Sequence, residues 1–300
     1  MHSAGIIFEH LILDRMNGRD QTVSHGSTLF FSALFLVLFA GSVAICQSPE
    51  TSPTPQINNE KIVAAKRFIE QANNCDVKNT KCKLTAYTKA IDAAPDYAEA
   101  YNGRALVYRG NGELDHALAD LDRVIELDPR AAQAYYYRAI IYATRNDLPT
   151  AIENFGKTIE LLPESWAAYV GRGNAHVRSR HYQNAISDFE RAIQIEPKAA
   201  EAYYGRGTVY YLRNELPKAI ADFTKALEIT PDLAIAYLNR AKCYELSTDD
   251  PAAMADLSKF IEMQPLDVRG YEGRAAIYDR LGEKDKADAD RQKVIELKKQ

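Results

Sequence analysis

Proline recurs every 34 residues, at Pro95, Pro129, Pro163, Pro197, Pro231 and Pro265. Five other series keep the same step. Tyr101, Tyr135, Tyr169, Tyr203, Tyr237 and Tyr271 form one, and Arg104, Arg138, Arg172, Arg206, Arg240 and Arg274 form another. Ala105, Ala139, Gly173, Gly207, Ala241 and Ala275 are always small, and Ala117, Ala151, Ala185, Ala219, Ala253 and Ala287 never vary. A chain built on such a period cannot close around one central core. Each unit must bury its apolar face on its neighbours, in a linear stack.

Within a unit the pattern is helical. Tyr, Arg, the small residue and a second ring (Tyr108, Tyr142, His176, Tyr210, Tyr244, Tyr278) fall at i, i+3, i+4 and i+7. At about 100° per residue these share one face. A second apolar series follows a short polar break, as in Ala219, Phe223 and Ala226. The terminal Pro ends this helix and suits the approach to the next one. Each unit is therefore expected to be two antiparallel helices, their backbones brought close by the small residues.

The 34-residue period and the bulky, small, aromatic, Ala, aromatic, Ala, Pro pattern resemble the tetratricopeptide repeat family. The resemblance covers six units, 98–131, 132–165, 166–199, 200–233, 234–267 and 268–300. It implies an all-α, right-handed superhelical solenoid whose first helices line a concave side. This chain departs from the family pattern in having Tyr for the frequent Trp and Arg for the frequent Leu. In the last unit Arg291 stands where Phe189 and Phe223 stand earlier, and Lys299 replaces Pro, as suits an end whose outer face meets water. Residues 60–97 read as a divergent helix pair, with Tyr87 and Ala90 in register. Cys75 and Cys82 lie in the loop between its helices. In an exported protein a disulfide is the natural reading. A metal site is a poor alternative, with no His or further Cys nearby.

The N-terminus is a separate object. Leu29 to Ile45 is uncharged and apolar, short for a spanning helix and long for a signal-peptide core. Residues 1–46 are expected to be an export signal, with an uncleaved membrane anchor as the rival and lipidation at Cys46 a weaker third reading. Translation starts at Met1 or at Met16. The Pro-rich stretch 47–59 reads as an extended linker. Residence in the periplasm, or at a membrane facing it, follows from this reading.

Chemistry is sparse. The chain has 300 residues, six His and a formal net charge of -4, which argues against nucleic acid as a main partner. There is no HExxH, no GxSxG and no full GxxxxGK[ST] phosphate-loop signature, and carboxylates recur with the period. No enzyme, cofactor or metal is expected. The arginine series shares the packed face, where a charge is costly unless paired. A matching series lies 16 residues on: Arg104 with Asp120, Arg172 with Asp188, Arg206 with Asp222, Arg240 with Asp256 and Arg274 with Asp290. Asn154 fills the slot opposite Arg138. A structural contact between helices, within a unit or to its neighbour, is expected. The rival is an arginine ladder for anions.

The face opposite the packed stripe is apolar in the middle of the array and charged at its ends. Its residues include Asn102, Tyr136, Ile140, Val170, Asn174, Tyr204, Thr208, Tyr211, Leu238 and Lys242. Exposed apolar rings on a concave face suggest a groove for a peptide or helix of a partner protein. Family members that bind chaperone tails use Lys and Asn one turn apart in the first unit. Here Asn102 and Leu106 stand there, so that clamp is not supported. The expected function is a non-catalytic interaction scaffold in envelope assembly or secretion. The alternative is a regulatory or substrate-presenting subunit of an envelope enzyme. The oligomeric state is not legible.

Overall fold

The computed structural model describes residues 59–76 and 78–299. The described residues form fourteen helices in seven antiparallel pairs: α1 (Asn59–Asn74) with α2 (Thr80–Ala93), α3 (Ala98–Gly110) with α4 (Leu114–Leu127), α5 (Ala132–Thr144) with α6 (Leu148–Leu161), α7 (Trp166–Arg178) with α8 (Tyr182–Ile195), α9 (Ala200–Leu212) with α10 (Leu216–Ile229), α11 (Ala234–Leu246) with α12 (Asp250–Met263), and α13 (Val268–Leu281) with α14 (Lys284–Leu297). Each first helix packs on its own second helix, and each second helix on the first helix of the next pair. The stack is an all-α, right-handed superhelical solenoid.

Rings and glycines set the spacing of this stack. Phe189 is fully buried on α8. A Cβ placed on Gly173 of α7 would lie 2.8 Å from its Cε1, and one on Gly205 of α9 would lie 2.5 Å from its Cζ. One phenyl ring is thus clasped by glycines of two successive first helices. Phe155 presses on Gly171 and Tyr87 on Gly103 in the same inter-unit sense. Where the second helix carries the smaller Leu121, the next first helix carries Tyr137 instead of Gly. Volume is conserved across the joint, as close-packed interiors require.

The turn inside each unit is equally regular. The first helix ends on a residue with φ near +60° to +80°: Gly112, Asn146, Arg180, Asn214, Thr248 and Gly282. The following N–H reaches back to the ring-bearing residue, as Glu113 N to Tyr108 O (2.9 Å) and Asp249 N to Tyr244 O (2.9 Å). This is a Schellman C-cap, which satisfies carbonyls that the helix leaves open.

At the ends the pattern relaxes. Arg291 on α14 pairs with Asp279 (2.6 Å) and Asp288 (2.7 Å) instead of filling a core site. At the other end, Asn79 caps α2 by accepting from Cys82 N (3.0 Å), and the Cα atoms of Cys75 and Cys82 lie 6.0 Å apart. That separation fits a disulfide. The apolar stretch 29–45 lies outside the described residues. No described helix is long and apolar enough to cross a membrane.

Candidate functional site: the arginine ladder and the concave groove

The arginine series resolves into contacts within units. Arg206 Nε and Nη2 donate to the two oxygens of Asp222, both at 2.8 Å. Arg104 with Asp120, Arg172 with Asp188, Arg240 with Asp256 and Arg274 with Asp290 repeat this fork within 2.7 to 2.9 Å. Each aspartate is buried. Each arginine also stacks on the Tyr three residues before it, with Arg206 Cζ 5.8 Å from the Tyr203 ring centre. The carboxylate hydrogen bonds hold these guanidinium groups above their ordinary pKa, against the desolvation that would lower it. The paired, planar fork keeps the charge in place.

The third arginine nitrogen looks one unit back. Arg104 Nη1 donates to Thr88 Oγ1 (3.2 Å) and Arg240 Nη1 to Thr224 Oγ1 (2.8 Å). Arg138 has Asn154 where the others have Asp; its Nε donates to Asn154 Oδ1 (2.7 Å) and its Nη1 to Asp122 of the previous unit (2.7 Å). At the joints of Arg104, Arg138 and Arg240 the ladder therefore ties three helices. Thr88 belongs to α2, so the first helix pair is joined to the array by the same device.

The concave face differs from the expectation. Tyr136, Val170, Tyr204 and Leu238 were expected to be exposed; the structure buries all four, at 8, 1, 9 and 2% exposure. The tyrosine rings turn inward onto their own second helices. Tyr136 meets Phe155 at 5.8 Å between centroids, and Tyr204 meets Phe223 at 5.7 Å. Tyr204 Oη accepts from Asn239 Nδ2 across to α11 (2.8 Å), and burial pushes its pKa up to about 12. These residues pack within the stack instead of standing exposed on the inner face.

The groove floor lies four residues further along each first helix. Leu106, Ile140, Asn174, Thr208 and Lys242 are all half-buried at equivalent places, joined by Asn102 and Tyr211. Thr208 spends its hydroxyl donor on Tyr204 O (2.9 Å). Burial, with the Arg269 cation next in weight, holds the Lys242 ammonium below its usual pKa. Leu212 and Leu246, at matching ends of α9 and α11, are 49 and 59% exposed. The sequence reasoning passed over them because each ends a helix, where periodicity no longer separates faces. Among the described residues, no group of three His, Cys, Asp or Glu side chains could hold a metal.

A solenoid of helix pairs with an internal polar ladder defines a repeat-protein interaction scaffold. A family model described as tetratricopeptide repeat matches residues 84–118, 104–165 and 170–234. The chain belongs to the tetratricopeptide repeat family. Over 79 residues it is 33% identical to the tetratricopeptide repeat protein 36 homolog of Nematostella vectensis. That stretch is 26% of this chain and 44% of the relative, so the chain spans less than half the relative's length. Among solved structures it is similar to a tetratricopeptide repeat protein from Parabacteroides merdae ATCC 43184, with 20% identity and a TM-score of 0.62 over 78% of this chain and 93% of that one. It is also similar to YrrB, described as a TPR protein with an unusual peptide-binding site. There the identity is 26% and the TM-score 0.52, over 64% of this chain and 98% of that one.

Proposed function

We propose that the array is a non-catalytic scaffold that holds a peptide or helix of a partner protein along the floor made by Leu106, Ile140, Asn174, Thr208 and Lys242. The observation that carries this is the uninterrupted, half-buried and partly apolar floor, repeated at one place on successive first helices. Its residues are less enclosed than the buried positions one turn earlier, although Leu106 and Ile140 also pack on the core. The resemblance to YrrB, itself described with a peptide-binding site, supports the same reading.

A photo-crosslinking residue at Asn174 tests it. Crosslinking to a discrete partner that is lost with Ile140→Glu on a folded array supports the groove. Equal crosslinking from Lys225, exposed on α10, would reject it.

The setting is proposed to be the cell envelope, with residues 1–46 directing export. A partner or groove occupant there would belong to an envelope or secretion assembly. N-terminal sequencing of protein from the periplasmic fraction checks this. A chain that begins at Met1 or Met16 and stays in the cytosol would overturn it. In an oxidising compartment Cys75 and Cys82 would be joined. Closing that loop would stabilise by about 2–3 kcal/mol in the chain-entropy model. Native mass before and after reduction should differ by two hydrogens; two free thiols in exported protein would reject the bond.

A further inference from the structure

One charged side chain on the concave face meets no carboxylate among the described residues. Arg109, near the end of α3, is half-buried against α5, with its Cζ 4.7 Å from the centre of the Tyr137 ring. Its Nη1 is enclosed and makes no hydrogen bond. Every arginine of the ladder meets a carboxylate, yet Arg109 has none among the described residues. Desolvation lowers its pKa, opposed only by the Tyr137 and Tyr136 phenols. A charge taken from water without a counterion destabilises the fold. Stacking on Tyr137 offsets part of that cost but leaves the charge without a counterion.

A second orphan lies on the same helix face. Asn102 Oδ1 is enclosed without a donor, while Asn102 Nδ2 donates to Gln133 Oε1 (3.4 Å). Gln133 Nε2 in turn donates to Tyr137 Oη (3.3 Å). Asn102, Gln133, Tyr137 and Arg109 thus form one polar strip across α3 and α5. At one end it has an unused acceptor and at the other an unused, charged donor. Asn102 and Arg109 are two turns apart, about 10 Å along the helix axis.

We infer that this strip is the recognition site for an acidic residue within an extended peptide: the peptide carboxylate neutralises Arg109, and a backbone N–H about three residues away donates to Asn102. Extended chain rises about 3.3 Å per residue, so three residues span the two orphans. A free anion would use Arg109 and leave Asn102 open, so the pair selects a peptide. Swinging of the long arginine side chain brings Nη1 to the carboxylate. The site differs from the ladder, whose guanidinium groups are occupied by their own aspartates. The inference rests on the groove reading and adds a charge requirement at its N-terminal end.

The test uses a phage-displayed random dodecapeptide library panned on the full array, and in parallel on Arg109→Met and Asn102→Leu arrays. The expected result is wild-type-selected peptides that share an Asp or Glu at a fixed distance from their apolar residues. Arg109→Met should select the apolar residues without the acid. In a selected peptide, Glu→Gln should weaken binding about tenfold to wild type and less than twofold to Arg109→Met. Arg109→Met should also melt no lower than wild type, since it removes an uncompensated charge. Arg109→Lys keeps the charge if the Met variant fails to fold, and it should retain the acid preference in weaker form. Enriched apolar peptides without a fixed acid would overturn this inference and leave the groove standing. No enrichment on any array would overturn both. An acid preference undiminished in Arg109→Met would also overturn the assignment.

Discussion

Arg206 and Asp222 meet through two parallel hydrogen bonds of 2.8 Å, and the aspartate is buried beneath the arginine. Removing only the arginine leaves a carboxylate in the stack without a counterion. A fully enclosed pair broken in this way costs about 3–5 kcal/mol. Arg206 is 20% exposed, so water reaches the site and Arg206→Met should cost about 2 kcal/mol. Arg206→Met with Asp222→Leu should recover most of that loss. Urea unfolding of the three arrays measures both. Unchanged stability in the single variant, with loss of an anionic ligand, would favour the anion-ladder reading instead.

The turn at Thr248 offers a gain. Its φ is +59°, a left-handed conformation that a β-branched residue adopts at a cost. Gly112 and Gly282 hold the equivalent place in the first and last of the six units. Thr248→Gly should stabilise by about 1 kcal/mol, after the extra chain entropy that glycine brings to the unfolded state. Arg180→Gly, at φ +61°, should gain less, and Asn214→Gly least, since Asn tolerates this region. Thermal melts of the three variants should rank in that order.

Much of this fold was legible because the period repeats the same experiment six times. The spacing of 16 between Arg206 and Asp222 is enough to pair them, since both sit on the packed faces of adjacent helices. The clasp of Phe189 by Gly205 also leaves a signal in the sequence. Its signal is the matched size of Leu121 with Tyr137, and of Phe155 with Gly171. The groove was less legible. Helical phase gives the direction of Tyr136 and Tyr204 around their helices. It does not give how far the neighbouring first helix covers them, which depends on the curvature of the superhelix. Arg109 stood on the expected face, but its lack of a counterion is a property of packing alone.

His176 stands where five units carry Tyr, and it brings acid sensitivity. Burial holds its imidazole below the ordinary 6.5; Arg172 and His181 push the same way, and Asp188, 3.9 Å from Nε2, opposes them. The unfolded chain takes up this proton at a higher pH than the folded one. The contribution is therefore complete above about pH 6.5 and is lost as the pH falls through that value toward the folded pKa. His176→Tyr should reduce the drop in melting temperature between about pH 7.5 and about pH 5. An equal drop in both proteins would show that the carboxylates alone set the acid response.

Two glycines should respond oppositely to the same added methyl group. Gly205 lies inside α9, and a Cβ there would sit 2.5 Å from Phe189 Cζ. That ring is fully buried and also pressed by Gly173, so it has no room to withdraw. Gly205→Ala must therefore spread α8 from α9, at about 1–3 kcal/mol. Gly156 lies inside α6, where the nearest atom to an added Cβ is Arg172 Nη1 at 3.8 Å, an ordinary contact. Nothing is displaced there, and glycine inside a helix costs about 0.5–1 kcal/mol relative to alanine. Gly156→Ala should stabilise by that amount. The contrast also separates the joints in space. Gly205→Ala should raise hydrogen exchange on both sides of the α8–α9 contact, whereas Gly156→Ala should slow it within α6. If both variants shift stability in the same direction, the ring-and-glycine clasp does not set the spacing of the units.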